Sequence, residues 1–197
     1  MIQAIRAGLS VATQGLVRAK LLRGKTARRF VREKDGIAAV EFAIVAAPFL
    51  ALMFAIMETA LVFFASQVLE TAVADSARLI MTGQAQSQNF TQVQFKQAVC
   101  AKILGLFDCG NGLQIDVKTY TGFASISTSK PIDVNGNLQT NFGYTPGGPG
   151  DIVVVRLMYQ WPVYVSLLGL NSLADMSGNK RLIIATAAFR NEPFPCC

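Results

Sequence analysis

A long run of apolar residues near the start of the chain dominates its hydrophobic pattern. From Ile37 to Phe64 the only charged side chains are Glu41 and Glu58. One helix that crosses the hydrocarbon core of a bilayer needs about 20 residues. We therefore predict a transmembrane helix over residues 37–64. Pro48 lies inside it and is expected to kink it, because a proline removes one backbone hydrogen bond.

The helical pattern continues beyond this run. Apolar residues recur at three- and four-residue spacing from Val68 to Ile80, with polar residues between them. Gly83 follows as a typical helix C-terminus. We therefore expect the helix to continue through residues 65–83 into a second region. Its first half would lie in lipid, and its second half would pack an apolar stripe on that region.

Residues 84–197 predict a small α+β domain. Three runs of residues that favour β-structure predict strands at Leu113–Tyr120, Ile152–Tyr159 and Leu182–Phe189. Because no helix of crossover length separates the last two, an antiparallel sheet is favoured. Glycine and proline at residues 143–150 predict a flexible loop.

The segment before the first strand predicts one more helix. A polar loop is expected at residues 84–89, followed by helical spacing over residues 90–107. The core candidates of that helix are Val93, Ala98, Ile103 and Leu104.

Charge divides the chain in two. Residues 1–36 hold nine Lys/Arg and two acidic residues, a net +7, so the remainder carries −1 of the total +6. An excess of basic charge before an apolar span predicts that the arm stays in the cytoplasm and the rest is exported. The basic charge ends where the apolar run begins, so we do not expect nucleic-acid binding. Residues 1–24 fit either a basic amphipathic helix on the inner leaflet or a long leader without structure of its own.

The residue types argue against several kinds of catalysis. The chain has no histidine, which excludes Ser-His and Cys-His mechanisms and most zinc sites. Residues 133–137 begin like a calcium loop, but Leu138 and Tyr144 stand where glycine and glutamate are required, so a plain turn is favoured. We expect no metal, cofactor or small-molecule substrate. The other carboxylates are expected on solvated faces: Glu70, Asp75, Asp108, Asp116 and Asp151.

Four cysteines follow the apolar run. In an oxidising compartment they would be expected to pair. Cys100 and Cys109 enclose a short loop, and this local pairing is the favoured one of three possibilities. Adjacent Cys196 and Cys197 pair poorly with each other, which leaves a bridge to a partner subunit or the reduced state open.

The segment RFVREKDGIAAVEFA, residues 29–43, resembles the head of the TadE-like family. These are minor pilins or pseudopilins of the tight-adherence (Flp, type IVc) pilus. Typical members have a basic arm, a glycine, four small or apolar residues, Glu-Phe, and an apolar helix with a proline and a second glutamate. Pro48 and Glu58 stand in suitable places, and residues 68–79 and 190–194 are also similar. The long arm before Arg28 departs from the family pattern.

The resemblance implies a function in pilus biogenesis, adhesion and biofilm formation. A prepilin peptidase would cut between Gly36 and Ile37, and Glu41-Phe42 would then stand at positions five and six of the mature chain. In a filament, the Glu41 carboxylate could offset the charge of a neighbour's free amino terminus. Alternatively, Glu41 is simply hydrated at the inner headgroup level.

The partners implied are the peptidase, other pilin or pseudopilin subunits, and the assembly platform. The expected location is the bacterial inner membrane, with a single pass, a cytoplasmic N-terminus and a periplasmic domain. The sequence leaves open whether the protein enters the extracellular pilus or only primes its assembly. Two other classes also stay open: an uncleaved single-pass scaffold or binding protein of the cell envelope, and a signal-anchored periplasmic enzyme.

Overall fold

The computed structural model describes residues 36–103, 105, 107–127, 129–164 and 174–195. The basic arm, Leu104, Cys196 and Cys197 lie outside these residues, so the expectations for them stay predictions. The chain divides after Leu52, and each part is described by itself.

Helix α1 spans Ile37–Met81 without interruption and contains Pro48. Up to Leu52, its large apolar side chains are exposed: Ile37, Val40, Phe42, Ile44, Val45, Phe49, Leu50 and Leu52. A helix that is apolar all round requires lipid or protein around it. Within the described residues, α1 is the one helix long and apolar enough to cross a membrane.

The second half of α1 packs one stripe into a protein core, as predicted. The buried positions follow helical spacing: Ala65, Leu69, Ala72, Val73, Ala77 and Ile80. The helix ends before Gly83, which adopts a left-handed conformation with φ 77°. A one-turn helix, α2 (Gln84–Ser87), follows where a polar loop was expected.

Helix α3 spans Gln92–Cys100 and is shorter than the sequence indicated. A capping box fixes its start, because Thr91 Oγ1 accepts a hydrogen bond from Gln94 N while the Gln94 side chain accepts one from Thr91 N. With the helix starting there, Phe95 and Val99 lie on its buried face. The prediction of Val93 as a core residue is wrong, since it is 65% exposed. Ala98 and Ile103 are half-buried.

Three strands form an antiparallel sheet in the order β1-β2-β3, which confirms the predicted α+β class. They span Leu113–Tyr120, Ile152–Pro162 and Lys180–Arg190. Val117 opposes Val155, and Val155 opposes Ala187. This face packs with α1 and α3 in the main core. The opposite face carries a smaller cluster of Met158, Met176 and Leu182.

The loop at residues 143–150 is held by buried amides, so the expectation of a flexible loop is wrong. Gln86 Nε2 donates to Pro146 O and Gly147 O at 3.1 and 3.2 Å. Asn191 Nδ2 donates to Pro146 O and Gly148 O at 3.0 and 2.9 Å. Composition indicated a loop correctly, but these contacts come from distant parts of the chain.

Among the carboxylates expected on solvated faces, Asp108 and Asp151 are exposed, as expected, and accept hydrogen bonds within turns, whereas the expectation is wrong for Asp116. Asp116 is buried, and its Oδ1 accepts a hydrogen bond from Gly143 N at 3.0 Å. Asp108 Oδ1 accepts from Gly110 N and Asn111 N. Asp151 Oδ2 accepts from Gly148 N at 2.8 Å. Glu70 and Asp75 are exposed, as expected.

The segment that resembled a calcium loop is the plain turn that was favoured. Asp133 Oδ1 accepts hydrogen bonds from Asn135 N and Asn137 N at 2.9 and 2.7 Å, and Gly136 takes a positive φ of 78°. The carboxylate oxygen is thus occupied by backbone donors of its own turn.

Candidate functional site

The first residues of α1 carry the predicted processing and assembly positions. Gly36 precedes the helix, and no described residue beyond its chain neighbours would lie within 4 Å of a Cβ placed on it. Ile37 and Glu41 are four residues apart, so they lie about one turn apart on the same face of α1.

Glu41 and its neighbour Phe42 are exposed; Phe42 is 74% exposed. Among the residues that the structure describes, none forms a hydrogen bond or ion pair with the Glu41 carboxylate.

Pro48 lies seven residues beyond Glu41 on the same exposed, apolar stretch. Because proline has no N–H, the carbonyl of Ile44 lacks its usual helical donor. Such a gap is tolerated in membrane helices where neighbours or local adjustment supply a partner. The predicted kink itself stays a prediction.

Glu58 is enclosed by the protein. Its side chain is buried, with 7% exposure, and its Oε1 accepts a hydrogen bond from Tyr164 N at 2.5 Å. Tyr164 follows β2, and the neighbouring Val163 is bonded to Asn179 through both N and O. The second glutamate of the head motif therefore anchors the helix to the segment after β2.

A small cavity of about 200 Å³ lies beside this contact. Its lining is almost wholly apolar and consists of Phe54, Met57, Glu58, Leu61, Trp161 and Tyr164. Trp161 packs with Phe107 and Tyr159, at centroid distances of 6.0 and 6.2 Å. Trp and Tyr are enriched where protein meets the membrane interface, because one end of each ring is apolar and the other polar.

A disulfide and two contacts of the C-terminal segment link parts of the folded domain. Cys100 and Cys109 form a disulfide, with 5.8 Å between their Cα atoms, that ties the end of α3 to the turn before β1. At the end of α1, Glu192 N donates to Met81 O at 2.9 Å, and the Phe194 ring covers Gly83. The long helix is thus held at Glu58 and again at its C-terminus.

The described ranges contain no group of three or more Cys, Asp or Glu side chains that could hold a metal ion. The arrangement at the head of α1 offers no nucleophile with an adjacent base. It consists of an exposed apolar helix, a glycine in front of it, and a carboxylate near its start that has no partner among the residues the structure describes.

A long apolar helix that leads into a small α+β domain defines a class: a protein with one candidate membrane-spanning helix and a small globular domain. Residues 36–78 match the model of the family described as TadE-like protein. This match confirms the resemblance over the head of the chain. The match covers α1 up to its last turn and leaves the sheet outside. Neither a curated protein nor a solved structure matches the chain significantly.

Proposed function

We propose that this protein is a pilin-like structural or assembly subunit, a minor pilin or pseudopilin, of a tight-adherence pilus. The observation that carries the proposal is the head of α1. There Gly36, Ile37 and Glu41 stand at the spacing of a pilin processing site, in front of a helix with exposed apolar side chains. Exposed apolar surface of this extent needs lipid before assembly and neighbouring helices after it.

Processing would begin at Gly36. A prepilin peptidase, acting between Gly36 and Ile37, would remove the basic arm and leave a free α-amino group on Ile37. Among the described residues, nothing lies within 4 Å of a Cβ built on Gly36, which supports access to this bond. The peptidase supplies the catalytic groups, and this chain supplies only the substrate.

Assembly would use the new amino group and Glu41. A carboxylate in the hydrocarbon core costs about 2.5–3.5 kcal/mol on insertion scales, so a compensating partner is favoured. In a helical array, the Glu41 carboxylate of one subunit would lie beside the Ile37 amino group of the next. The pair would fix the register between subunits, and the lack of a partner among the described residues leaves Glu41 available for it.

Before assembly, the protein would span the bacterial inner membrane once. The +7 arm would stay in the cytoplasm and the sheet domain would face the periplasm. The Cys100–Cys109 disulfide supports an oxidising location. A membrane-impermeant thiol reagent, applied to intact spheroplasts after reduction, should label these cysteines. Labelling that requires lysis would contradict this orientation.

Piliation of Glu41 variants tests the proposal. Glu41→Gln and Glu41→Ala should insert normally, because losing the charge eases insertion, but should abolish or sharply reduce pilus formation. Glu70→Gln is the matched control, since Glu70 is an exposed carboxylate on the same helix. Sheared-pilus yield and surface attachment are measured, with membrane levels checked by blot. Normal piliation by Glu41→Ala at wild-type level would contradict the charge pairing.

A further inference from the structure

The sheet face opposite the helices carries a polar cleft of about 200 Å³. Residues 115 and 117 of β1 are buried in the main core, so the alternating residues Asp116, Lys118 and Tyr120 lie on the other face. Arg156 of β2 lies opposite Asp116. The segment at residues 129–142 forms the rest of the wall. Its polar lining also includes Ser127, Lys130, Gln139 and Asn141.

Arg156 is a cation held in place by neutral groups. Its Nη2 donates to Ser127 O at 2.7 Å and to Tyr120 Oη at 3.3 Å. Asp116, directly across the strands, is occupied elsewhere: Oδ1 accepts from Gly143 N, and Oδ2 lies 3.1 Å from Lys118 Nζ. Among the described residues, no carboxylate lies within ion-pair distance of the Arg156 guanidinium.

The two lysines of the cleft are already paired. Lys118 pairs with Asp116, and Lys130 Nζ lies 2.6 Å from Asp175 Oδ2. One positive charge, that of Arg156, is therefore left in a half-buried position. The N–H groups on Nη1 and Nε of Arg156 have no partner among the described residues, and they can donate charge-assisted hydrogen bonds to a carboxylate.

The remaining polar side chains of the wall are hydroxyls and amides. Such groups both donate and accept hydrogen bonds, which suits a ligand with several hydroxyls. The cavity is smaller than the roughly 300–1,000 Å³ of pockets for drug-sized ligands, so it fits one small unit. We infer that the cleft binds a single carboxylated sugar unit, with its carboxylate on Arg156 and its hydroxyls on Tyr120, Gln139 and Asn141.

Ligand-detected NMR with the full chain in detergent micelles tests this inference. Galacturonate is the probe, its neutral methyl ester is the matched control, and inorganic phosphate is a competitor. We expect saturation transfer to galacturonate, little to the ester, and only weak displacement by phosphate. Equal binding of the ester, displacement by equimolar phosphate, or no binding of galacturonate would each overturn the inference.

Substitutions in the cleft test whether galacturonate binds there. Arg156→Gln should weaken galacturonate binding about tenfold, as expected for the loss of a charge-assisted hydrogen bond. Lys102→Gln is the charge control, because Lys102 is exposed after α3 on the helix side of the sheet. If Arg156→Gln does not fold, Asn141→Ala tests the inference instead. Because Asn141 is exposed, this substitution should weaken galacturonate binding without loss of fold. A folded Arg156→Gln, or an Asn141→Ala, with wild-type affinity would overturn the inference. No pilus is needed for this measurement, so its result is independent of the proposed function.

Discussion

The Glu58 carboxylate accepts a hydrogen bond from the backbone N–H of Tyr164, with 2.5 Å between Oε1 and N, across 106 residues of sequence. Because Glu58 is buried, the bond fixes α1 to the segment after β2 at the point where the folded domain begins. The two glutamates of the apolar run therefore differ in their surroundings. Glu41 is exposed, whereas Glu58 is enclosed by its own chain.

Removal of the Glu58 side chain should destabilise the domain. Glu58→Ala leaves the Tyr164 N–H without this acceptor, which costs about 1–3 kcal/mol. Glu58→Gln keeps an oxygen in place and should cost less. The measurement is thermal unfolding of the detergent-solubilised protein by circular dichroism, with exposed Glu70→Ala as the control. Equal stability of Glu58→Ala and Glu70→Ala would contradict the anchoring role.

A side chain at Gly83 should loosen the C-terminal end of α1. Gly83 has φ 77°, and a Cβ there would lie 2.4 Å from Phe194 Cγ. We expect Gly83→Ala to cost about 1–3 kcal/mol through strain and displacement of the ring. Gly122→Ala is the matched control, because Gly122 has extended backbone and open space around it. The double variant Gly83→Ala/Phe194→Ala separates the two causes. It should be less stable than Phe194→Ala if backbone strain dominates, and as stable as Phe194→Ala if displacement of the ring dominates.

Loss of the Cys100–Cys109 disulfide should lower the free energy of unfolding by about 2–3 kcal/mol, from the entropy of closing a short loop. Urea unfolding of Cys100→Ser/Cys109→Ser measures this. A reducing agent should shift the wild-type midpoint to that of the variant and leave the variant unchanged. An unshifted wild-type midpoint under full reduction would show that the bridge contributes no stability.

Tyr144 should make the domain sensitive to alkali. Burial raises the pKa of Tyr144 to about 12, from an ordinary value of about 10. The unfolded state therefore loses this proton first, so the stability is complete below about pH 10 and falls as pH rises toward 12. Within the described part of the chain, its hydroxyl has no hydrogen-bond partner. Tyr144→Phe should thus be neutral or stabilising at pH 7 and lose less stability above pH 10. Identical pH dependence in the two proteins would contradict this.

Local patterns predicted the elements well, because each depends on spacing within one segment. The run from Ile37 and the strand pattern at Leu113–Tyr120 both translated directly into structure. Contacts between distant segments could not be predicted in the same way. Asp116 follows the polar phase of its strand, yet it is buried because residues 139–143 cover that face.

The two candidate sites also differ in whether they depend on local sequence or on contacts between distant segments. The head motif from Gly36 to Glu41 is contiguous, so its spacing was visible in the sequence. Arg156 and Tyr120 come from different strands, and their approach required the register of the sheet. A single arginine in a strand gave no local signal of a binding cleft.

The mass of the N-terminus of the membrane-bound protein tests the central claim most directly. The protein is expressed with an active cognate prepilin peptidase, and processing of an established pilin in the same cells serves as the control. The account predicts a chain that starts at Ile37, partial processing of Gly36→Ala, and an uncut leader in Gly36→Leu. A wild-type chain that still starts at Met1 would contradict the account and favour an uncleaved single-pass envelope protein.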